Sequence, residues 1–150
     1  MTTFGVTGAS GFLGGAIARI LTERGDVVVP LHHSKVNAVY PHVPAVDVLV
    51  HAGGGGGIAA ADADPTADLR AHAQSTLELL EAQKDGRFQR LVLISSAAVY
   101  GRVQGLVPET QTPRPLAAYG VSKRAAELYA QAYGDRYGLD VVVALSLIHI

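Results

Sequence analysis

Three glycines at intervals of three residues constrain the fold of this chain more than any other feature. They are Gly8, Gly11 and Gly14, and they separate a predicted strand at 3–7 from a predicted amphipathic helix. Gly8 allows a tight turn, Gly14 allows close packing of helix on strand, and Gly11 lets the backbone approach a pyrophosphate at the helix N-terminus. Between a strand and a helix, this pattern predicts dinucleotide binding. The alternative is a glycine-rich turn without a ligand.

The rest of the chain alternates between short apolar runs and helical patterns. Further strands are predicted at 27–31, 46–51, 91–95 and 141–145. Helices are predicted from about 13 to 25, 64 to 86 and 121 to 138. The prolines of 101–118 indicate a loop. Alternation of this kind is typical of an α/β fold with a parallel sheet.

The connection between the second and third predicted strands is short. Only residues 32–45 separate these strands, and Pro41 and Pro44 lie among them. A parallel connection needs roughly a dozen residues and usually contains a helix. We therefore expect a single minimal crossover here, and a sheet that is incomplete because the chain is shortened near 35–45.

Composition excludes several classes of protein. The 150 residues are 49% hydrophobic and 17% charged, with a net charge of -1, as expected for one globular domain without a nucleic-acid or membrane partner. The absence of cysteine excludes disulfides and thiolate metal sites, and we predict no metal site. Neither a membrane-spanning apolar run nor a signal-peptide pattern is present, so we expect a cytoplasmic protein.

A second motif lies in the last predicted helix, where Tyr119 and Lys123 are four residues apart and share a face. An ammonium group beside a phenol lowers the pKa of the phenol, which suits Tyr119 to proton exchange with a substrate oxygen near neutral pH. Ser96, at the C-terminal end of a predicted strand, could bind the same oxygen. The alternatives are an exposed Tyr–Lys pair at a helix start and a serine that caps the next turn.

Together these motifs resemble the extended branch of the short-chain dehydrogenase/reductase superfamily, the NAD(P)-dependent epimerase/dehydratase family. The segments 51–53 and 108–127 are similar to that family as well, and the resemblance runs from residue 3 to about 144. It implies an α/β, Rossmann-like, doubly wound parallel sheet with helices on both faces. It also implies an NAD(P)-dependent oxidoreductase, epimerase or dehydratase that transfers a hydride, with a nucleotide-activated sugar or another carbonyl or alcohol compound as its small-molecule substrate.

The resemblance implies roles for individual residues. The cofactor would be lined by Gly8, Gly11, Phe12, Leu13, Gly14, His51, Ala52 and Gly53. The three glycines would meet its pyrophosphate, and Phe12 and Leu13 would offer amides at the helix start. In the catalytic set, Tyr119 would be the acid/base and Lys123 would hold the nicotinamide ribose. Ser96 would orient the substrate oxygen, and the neighbouring Ser95 is a weaker candidate for that role.

The residues after the second predicted strand bear on the choice between NAD and NADP. Family members that prefer NAD carry an acidic residue there, whereas this chain has His33 and Lys35, which would attract a 2′-phosphate. The absence of an acidic residue and the presence of His33 and Lys35 slightly favour NADP over NAD. The alternative is that both side chains belong to an ordinary exposed polar loop.

Two further departures from the family pattern concern His72 and the glycine run at 53–57. His72 stands where the family usually has asparagine, and we expect it to face solvent on its helix. The glycine run could cradle the cofactor, but we expect flexible padding because ordering five glycines is entropically costly.

In the family, the strand at 141–145 leads into a substrate domain. We expect residues 1–144 to form the cofactor-binding domain and the substrate domain to be absent. The last six residues match what a common sequencing adaptor would encode, so we expect 145–150 to be a non-native tail; the alternative is a genuine apolar strand. A homodimer would pair the helices that carry Tyr119. Two rival functions stay open: a non-catalytic NAD(P)-sensing module and an inactive fragment.

Overall fold

Five parallel strands form one sheet in the computed structural model, which describes residues 1–33, 40 and 42–147. The strands are β1 (Thr3–Thr7), β2 (Val27–Leu31), β3 (Val48–His51), β4 (Arg90–Ser96) and β5 (Asp140–Ser146). Their order across the sheet is β2-β1-β3-β4-β5. The order reverses between β1 and β3, and ligands of doubly wound folds bind in the crevice that such a reversal opens at the carboxyl ends of the strands. The predicted Rossmann-like fold is confirmed.

Helices connect the strands. They are α1 (Phe12–Glu23), α2 (Ile58–Ala63), α3 (Pro65–Leu69), α4 (Ser75–Lys84) and α5 (Ala118–Tyr137). A π-helical turn (Arg70–Gln74) joins α3 to α4, and a 3₁₀ turn (Ala97–Tyr100) follows β4. Asp64 caps α3, because its carboxylate accepts a hydrogen bond from the amide of Ala67. No helix in the described part of the chain is long and apolar enough to cross a membrane.

The sheet buries apolar side chains on both faces, as the continuous apolar strands predict. On one face, Val6 and Val50 pack with Leu21 of α1. On the other face, Leu49 and Leu91 pack with α4. Alternate residues along each strand thus serve opposite faces, and the helices lie on both sides of the sheet.

The connection from β2 to β3 contributes to the core without an additional strand among the residues described there. Tyr40, Val43 and Val46 are buried on the face that α4 covers. The Tyr40 amide also donates a hydrogen bond to the carboxylate of Glu78 on α4. Lys35, predicted to contact the cofactor, lies outside the described residues.

Two details of the helices differ from the sequence predictions. The helix α2 was not predicted, because its alanine-rich sequence follows five glycines and carries no apolar stripe. In the helix predicted from 64 to 86, the apolar spacing of Leu69, Ala73, Leu77 and Leu80 predicts one buried stripe, but Leu69 is 50% exposed, whereas Asp68 and His72 are buried. Ala73 and Leu80 of the predicted stripe are buried as expected, but the buried face also includes the polar side chains of Asp68 and His72.

Candidate active site

The glycine turn after β1 is built by close backbone contacts. Gly8 has φ +68°, and the Gly11 amide donates a hydrogen bond of 2.8 Å to its carbonyl. A Cβ atom on Gly14 would lie 2.2 Å from the Gly8 oxygen, so only glycine fits there. Gly11 is the N-cap residue of α1 and has no side chain to cap the helix. The first amides of α1, including those of Phe12 and Leu13, therefore suit an anion.

A second loop, which follows β3, lies against this turn. A Cβ atom on Gly8 would come within 2.8 Å of the backbone of Gly53. The Gly53 amide donates a hydrogen bond of 2.8 Å to the hydroxyl of Thr7, the last residue of β1. Ala52 packs partly buried in the core cluster that contains Val6. The two segments predicted to line the cofactor are thus in direct contact at the reversal of strand order.

His51 is a buried structural link in this contact. Its Nδ1 lies 2.7 Å from the Thr7 hydroxyl and its Nε2 lies 3.0 Å from the Ser75 hydroxyl. Ser75 donates its single hydroxyl hydrogen to the Ala71 carbonyl, so it accepts from His51. We therefore assign the imidazole proton to Nε2. Burial, with a smaller contribution from the charge of Lys123, lowers the pKa of His51 to about 3.

The side chain of His51 therefore lies behind the predicted cofactor crevice. It is 2% exposed, and both ring nitrogens are hydrogen-bonded within the protein. A contact between residue 51 and a cofactor would have to use its backbone. The imidazole instead fixes Thr7, whose hydroxyl holds the Gly53 amide.

Ser96 and Tyr119 meet at the carboxyl end of β4. Both residues are buried, and the Ser96 hydroxyl is close enough to the Tyr119 phenol to lower its pKa. Ser96 also accepts a hydrogen bond of 3.2 Å from the Ala98 amide, so it caps the 3₁₀ turn as well. The neighbouring Ser95 donates its hydroxyl to the carboxylate of Glu127. Because the Ser95 hydroxyl already donates to Glu127, Ser96 is the better candidate for the hydroxyl that would face a substrate.

Lys123 does not have the expected effect on Tyr119. Burial raises the pKa of Tyr119, the Ser96 hydroxyl opposes this shift, and the charge of Asp68 adds to it. The Lys123 ammonium donates to the Ile94 carbonyl at 3.0 Å and lies 6.0 Å from the centre of the Tyr119 ring. Burial lowers the pKa of Lys123 to about 8, although the carboxylates of Asp68 and Glu127 act to raise it. The predicted lowering of the Tyr119 pKa is therefore wrong for this arrangement, because burial dominates.

His72 was expected in solvent, and the structure contradicts this. It is 3% exposed, and its ring meets that of Tyr119 edge-on with 5.2 Å between centroids. Its Nε2 lies 3.4 Å from Asp68 Oδ1, and the Gly55 amide donates to the same nitrogen at 3.3 Å. The other Asp68 oxygen is buried without a hydrogen bond in the described part of the chain. A buried acid–imidazole pair therefore borders the candidate tyrosine, and helical periodicity gave no signal for it.

Part of the glycine run at 53–57 packs closely against buried side chains and is not a flexible linker. A Cβ atom on Gly54 would lie 2.3 Å from Cε1 of His72, and one on Gly53 would lie 2.6 Å from the Tyr40 hydroxyl. At Gly55 the nearest atom would be 3.6 Å away, which is an ordinary contact. The first two glycines are therefore required by the close approach of buried rings, which corrects the expectation of flexible padding.

The carboxyl edge of the sheet thus carries nearly all of the predicted site. The glycine turn follows β1, the 51–53 segment ends β3, and Ser96 ends β4. His33 is exposed two residues after β2, at the same edge. The Tyr119 and Lys123 side chains reach this edge from α5.

Comparisons with known proteins agree with this geometry. The sequence matches the NAD dependent epimerase/dehydratase family over residues 5–146. It is 33% identical over 158 residues to a GDP-6-deoxy-D-mannose reductase from Pseudomonas aeruginosa, covering 97% of this chain and 51% of that protein.

Two solved structures are similar as well. RMD from Pseudomonas aeruginosa complexed with NADPH has a TM-score of 0.80 and 30% identity, with 97% of this chain and 52% of that chain covered. The complex of UDP-glucose 4-epimerase from Thermus thermophilus with NAD has a TM-score of 0.82 and 30% identity, with 94% and 53% covered. The chain spans about half the length of these relatives.

We predict that Gly54→Ala destabilises the protein by about 1–3 kcal/mol, because the added methyl group overlaps the buried His72 ring. Gly55→Ala, in the same run, is the matched control and should leave stability within about 0.5 kcal/mol or raise it slightly. Urea unfolding at neutral pH measures both. Equal effects at the two positions would show that the run is padding.

Stability should fall as the pH drops below 6.5, because the unfolded chain protonates His51 there and the folded chain does so only near pH 3. This group alone should remove about 2 kcal/mol between pH 7 and pH 5. His51→Asn should flatten that part of the pH dependence in urea unfolding. His32→Asn, at an exposed position, should leave it unchanged. A profile that His51→Asn does not alter would contradict the assignment.

Proposed function

Because the chain belongs to the NAD dependent epimerase/dehydratase family, we propose that it carries the cofactor-binding and proton-transfer half of an NAD(P)-dependent enzyme that acts on a nucleotide sugar or a related carbonyl or alcohol compound. The observation that supports this most directly is that Ser96 and Tyr119 are both buried and that Ser96 influences the pKa of Tyr119, at the sheet edge that also holds the glycine turn. The activity, substrate and partners of the whole protein are part of this proposal.

The residues at the glycine turn fit the pyrophosphate of a dinucleotide. Gly11 leaves the start of α1 uncapped by its own side chain, and Gly8 and Gly53 bring two backbones together beside it. A helix N-terminus that is free in this way attracts negative charge. In this proposal Gly8, Gly11, Phe12, Leu13, Gly14, Ala52 and Gly53 hold the cofactor. A nicotinamide cofactor would supply the hydride chemistry.

Tyr119 then exchanges a proton with the substrate oxygen, and Ser96 orients that oxygen. Because burial raises the pKa of Tyr119, the phenol is protonated at neutral pH and is suited to donate a proton to a carbonyl oxygen. Acting as a base would require more positive charge beside the phenol. Lys123, with a pKa of about 8, is mostly protonated at pH 7 and lies 6.0 Å from the centre of the Tyr119 ring.

We also propose that NADP is bound more tightly than NAD. His33 is exposed just beyond β2, and Lys35 follows it in sequence, so no carboxylate stands at 32–35 to repel a 2′-phosphate. One similar structure is a complex with NADPH and another is a complex with NAD. The similar structures therefore do not distinguish NADP from NAD, and the proposed preference rests on His33 and Lys35.

Tyr119→Phe should reduce turnover by at least about 100-fold, because it removes the hydroxyl that exchanges the proton. It should leave cofactor binding intact, measured as the rise in melting temperature with NADP or NAD. The control is Tyr129→Phe, on the same helix but 42% exposed, which should change neither property. Turnover is followed with a panel of nucleotide sugars, by nicotinamide absorbance for net oxidation or reduction and by chromatography of the sugar product for an epimerase or dehydratase, which regenerates its cofactor within one turnover.

Cofactor binding separates an inactive fragment from the other two functions. Stabilisation by cofactor without turnover is expected of a sensing module and also of a cofactor-binding half that lacks its substrate domain, whereas turnover that Tyr119→Phe abolishes supports the enzyme. Neither stabilisation nor turnover would indicate an inactive fragment. Gly11→Asp should abolish the stabilisation, whereas Ile20→Asp, which adds the same charge at an exposed position of α1, should preserve it.

NADP should raise the melting temperature more than NAD at equal concentration. Lys35→Glu should shift the ratio of the two dissociation constants towards NAD by about tenfold, the effect of about 1.4 kcal/mol. Arg87→Glu makes the same charge change at the opposite edge of the sheet, before β4, and should leave the ratio unaltered. Equal shifts with both cofactors, or a larger one with NAD, would contradict the proposed preference.

A further inference from the structure

An open pocket of about 790 Å³ lies in the loop region between β4 and α5, the two elements that carry Ser96 and Tyr119. Its lining residues are Tyr100, Arg102, Gln111, Thr112, Arg114 and Leu116. Its volume is within the range of small-molecule sites in proteins. None of the residues assigned above to the cofactor or to proton transfer lines it.

The charge of this pocket is uncompensated. Arg102 and Arg114 are exposed, and neither forms an ion pair with any residue that the structure describes. Glu109 is the single acidic residue of the segment 101–117, and it does not line the pocket. Two guanidinium groups that share one pocket without a carboxylate repel each other, and an added anion would relieve that repulsion.

Close backbone contacts fix the positions from which the two arginines project. Gly101 has φ +69°, and a Cβ atom there would lie 2.1 Å from the carbonyl oxygen of Arg114. A Cβ atom on Gly120 would lie 2.6 Å from the Ala98 oxygen and 3.0 Å from Pro115. The two walls of the pocket are therefore packed against each other at the residue before Arg102 and at Arg114 itself.

The pocket also adjoins the proposed catalytic set in the chain. Tyr100 is the last residue of the 3₁₀ turn that Ser96 caps, and Leu116 lies three residues before Tyr119. Tyr100 and Leu116 offer apolar surface, while Gln111 and Thr112 offer neutral hydrogen-bonding groups. A ligand held here would combine a charged end with a compact carbon framework.

We propose that this pocket binds the oxyanion, a phosphate or a carboxylate, of a sugar-sized substrate whose reacting oxygen reaches Ser96 and Tyr119. Guanidinium groups pair with either oxyanion through two parallel hydrogen bonds, so the two arginines are the specificity-determining residues. The part of this inference that concerns the reacting oxygen rests on the proposed function. The anion site itself does not.

The test is a titration of the ¹⁵N-labelled full chain, followed by the Nε–H signals of Arg102 and Arg114 and the amide signal of Gly101. The probes are glucose 1-phosphate, glucuronate and neutral glucose, at constant ionic strength. We expect saturable shifts with at least one charged probe and none with glucose. A preference for the first probe identifies a phosphate as the bound group, and a preference for the second identifies a carboxylate.

Arg102→Gln and Arg114→Gln should each weaken the binding by about tenfold or more, because each removes a charge-assisted pair. Arg87→Gln, an exposed arginine near the other edge of the sheet, is the matched control and should have no effect. Equal weakening by all three variants, or no saturable binding, would overturn the proposal. The two pocket variants should keep cofactor stabilisation, and Gly11→Asp should keep anion binding. A failure of the anion site is thereby distinguished from a failure of the proposed function.

Discussion

The hydroxyl of Thr7 holds together the two loops on which the candidate site depends. It accepts a hydrogen bond from the amide of Gly53 and donates one to Nδ1 of His51. The carboxyl ends of β1 and β3 are therefore joined by side-chain hydrogen bonds as well as by the backbone hydrogen bonds of the sheet. The geometry works only because the backbones of Gly8 and Gly53 approach to within a distance that a Cβ atom would forbid. The candidate crevice is therefore shaped by buried hydrogen bonds among Gly53, Thr7 and His51. These hydrogen bonds require the His51 imidazole to stay neutral.

Burial also controls the chemistry that the site can perform. Tyr119, Lys123 and His72 all lie in one largely buried cluster, with the carboxylate of Asp68 beside them. In such surroundings charged forms are disfavoured, which raises the pKa of the phenol and lowers that of the ammonium group. The two shifts together keep Tyr119 protonated, and the lysine alone does not reverse this. The motif therefore brings the candidate groups together, while their protonation is decided by neighbours that lie far away in sequence.

Apolar runs predict the strands of this chain, and the helical spacing of apolar residues predicts its long helices. Each of β2 to β5 contains an apolar run of Val, Leu or Ile, and α5 begins and ends within a few residues of its predicted bounds. The position of His72 could not be predicted this way, because its burial depends on Gly54 leaving room for the ring and on the π turn that directs the ring inward. Helix α2 was missed because alanine carries no information about which face is buried.

The short connection between β2 and β3 shows how the fold tolerates an abbreviated crossover. A parallel sheet needs cover on both faces, and the missing cover would expose Leu31 and Leu49. Tyr40, Val43 and Val46 supply it from the connection itself and pack with those leucines in one cluster. The Tyr40 hydroxyl also comes close to Gly53, and its ring meets that of His51 edge-on at 5.7 Å between centroids. The abbreviated segment therefore supports the candidate crevice from behind and covers the core on this side of the sheet.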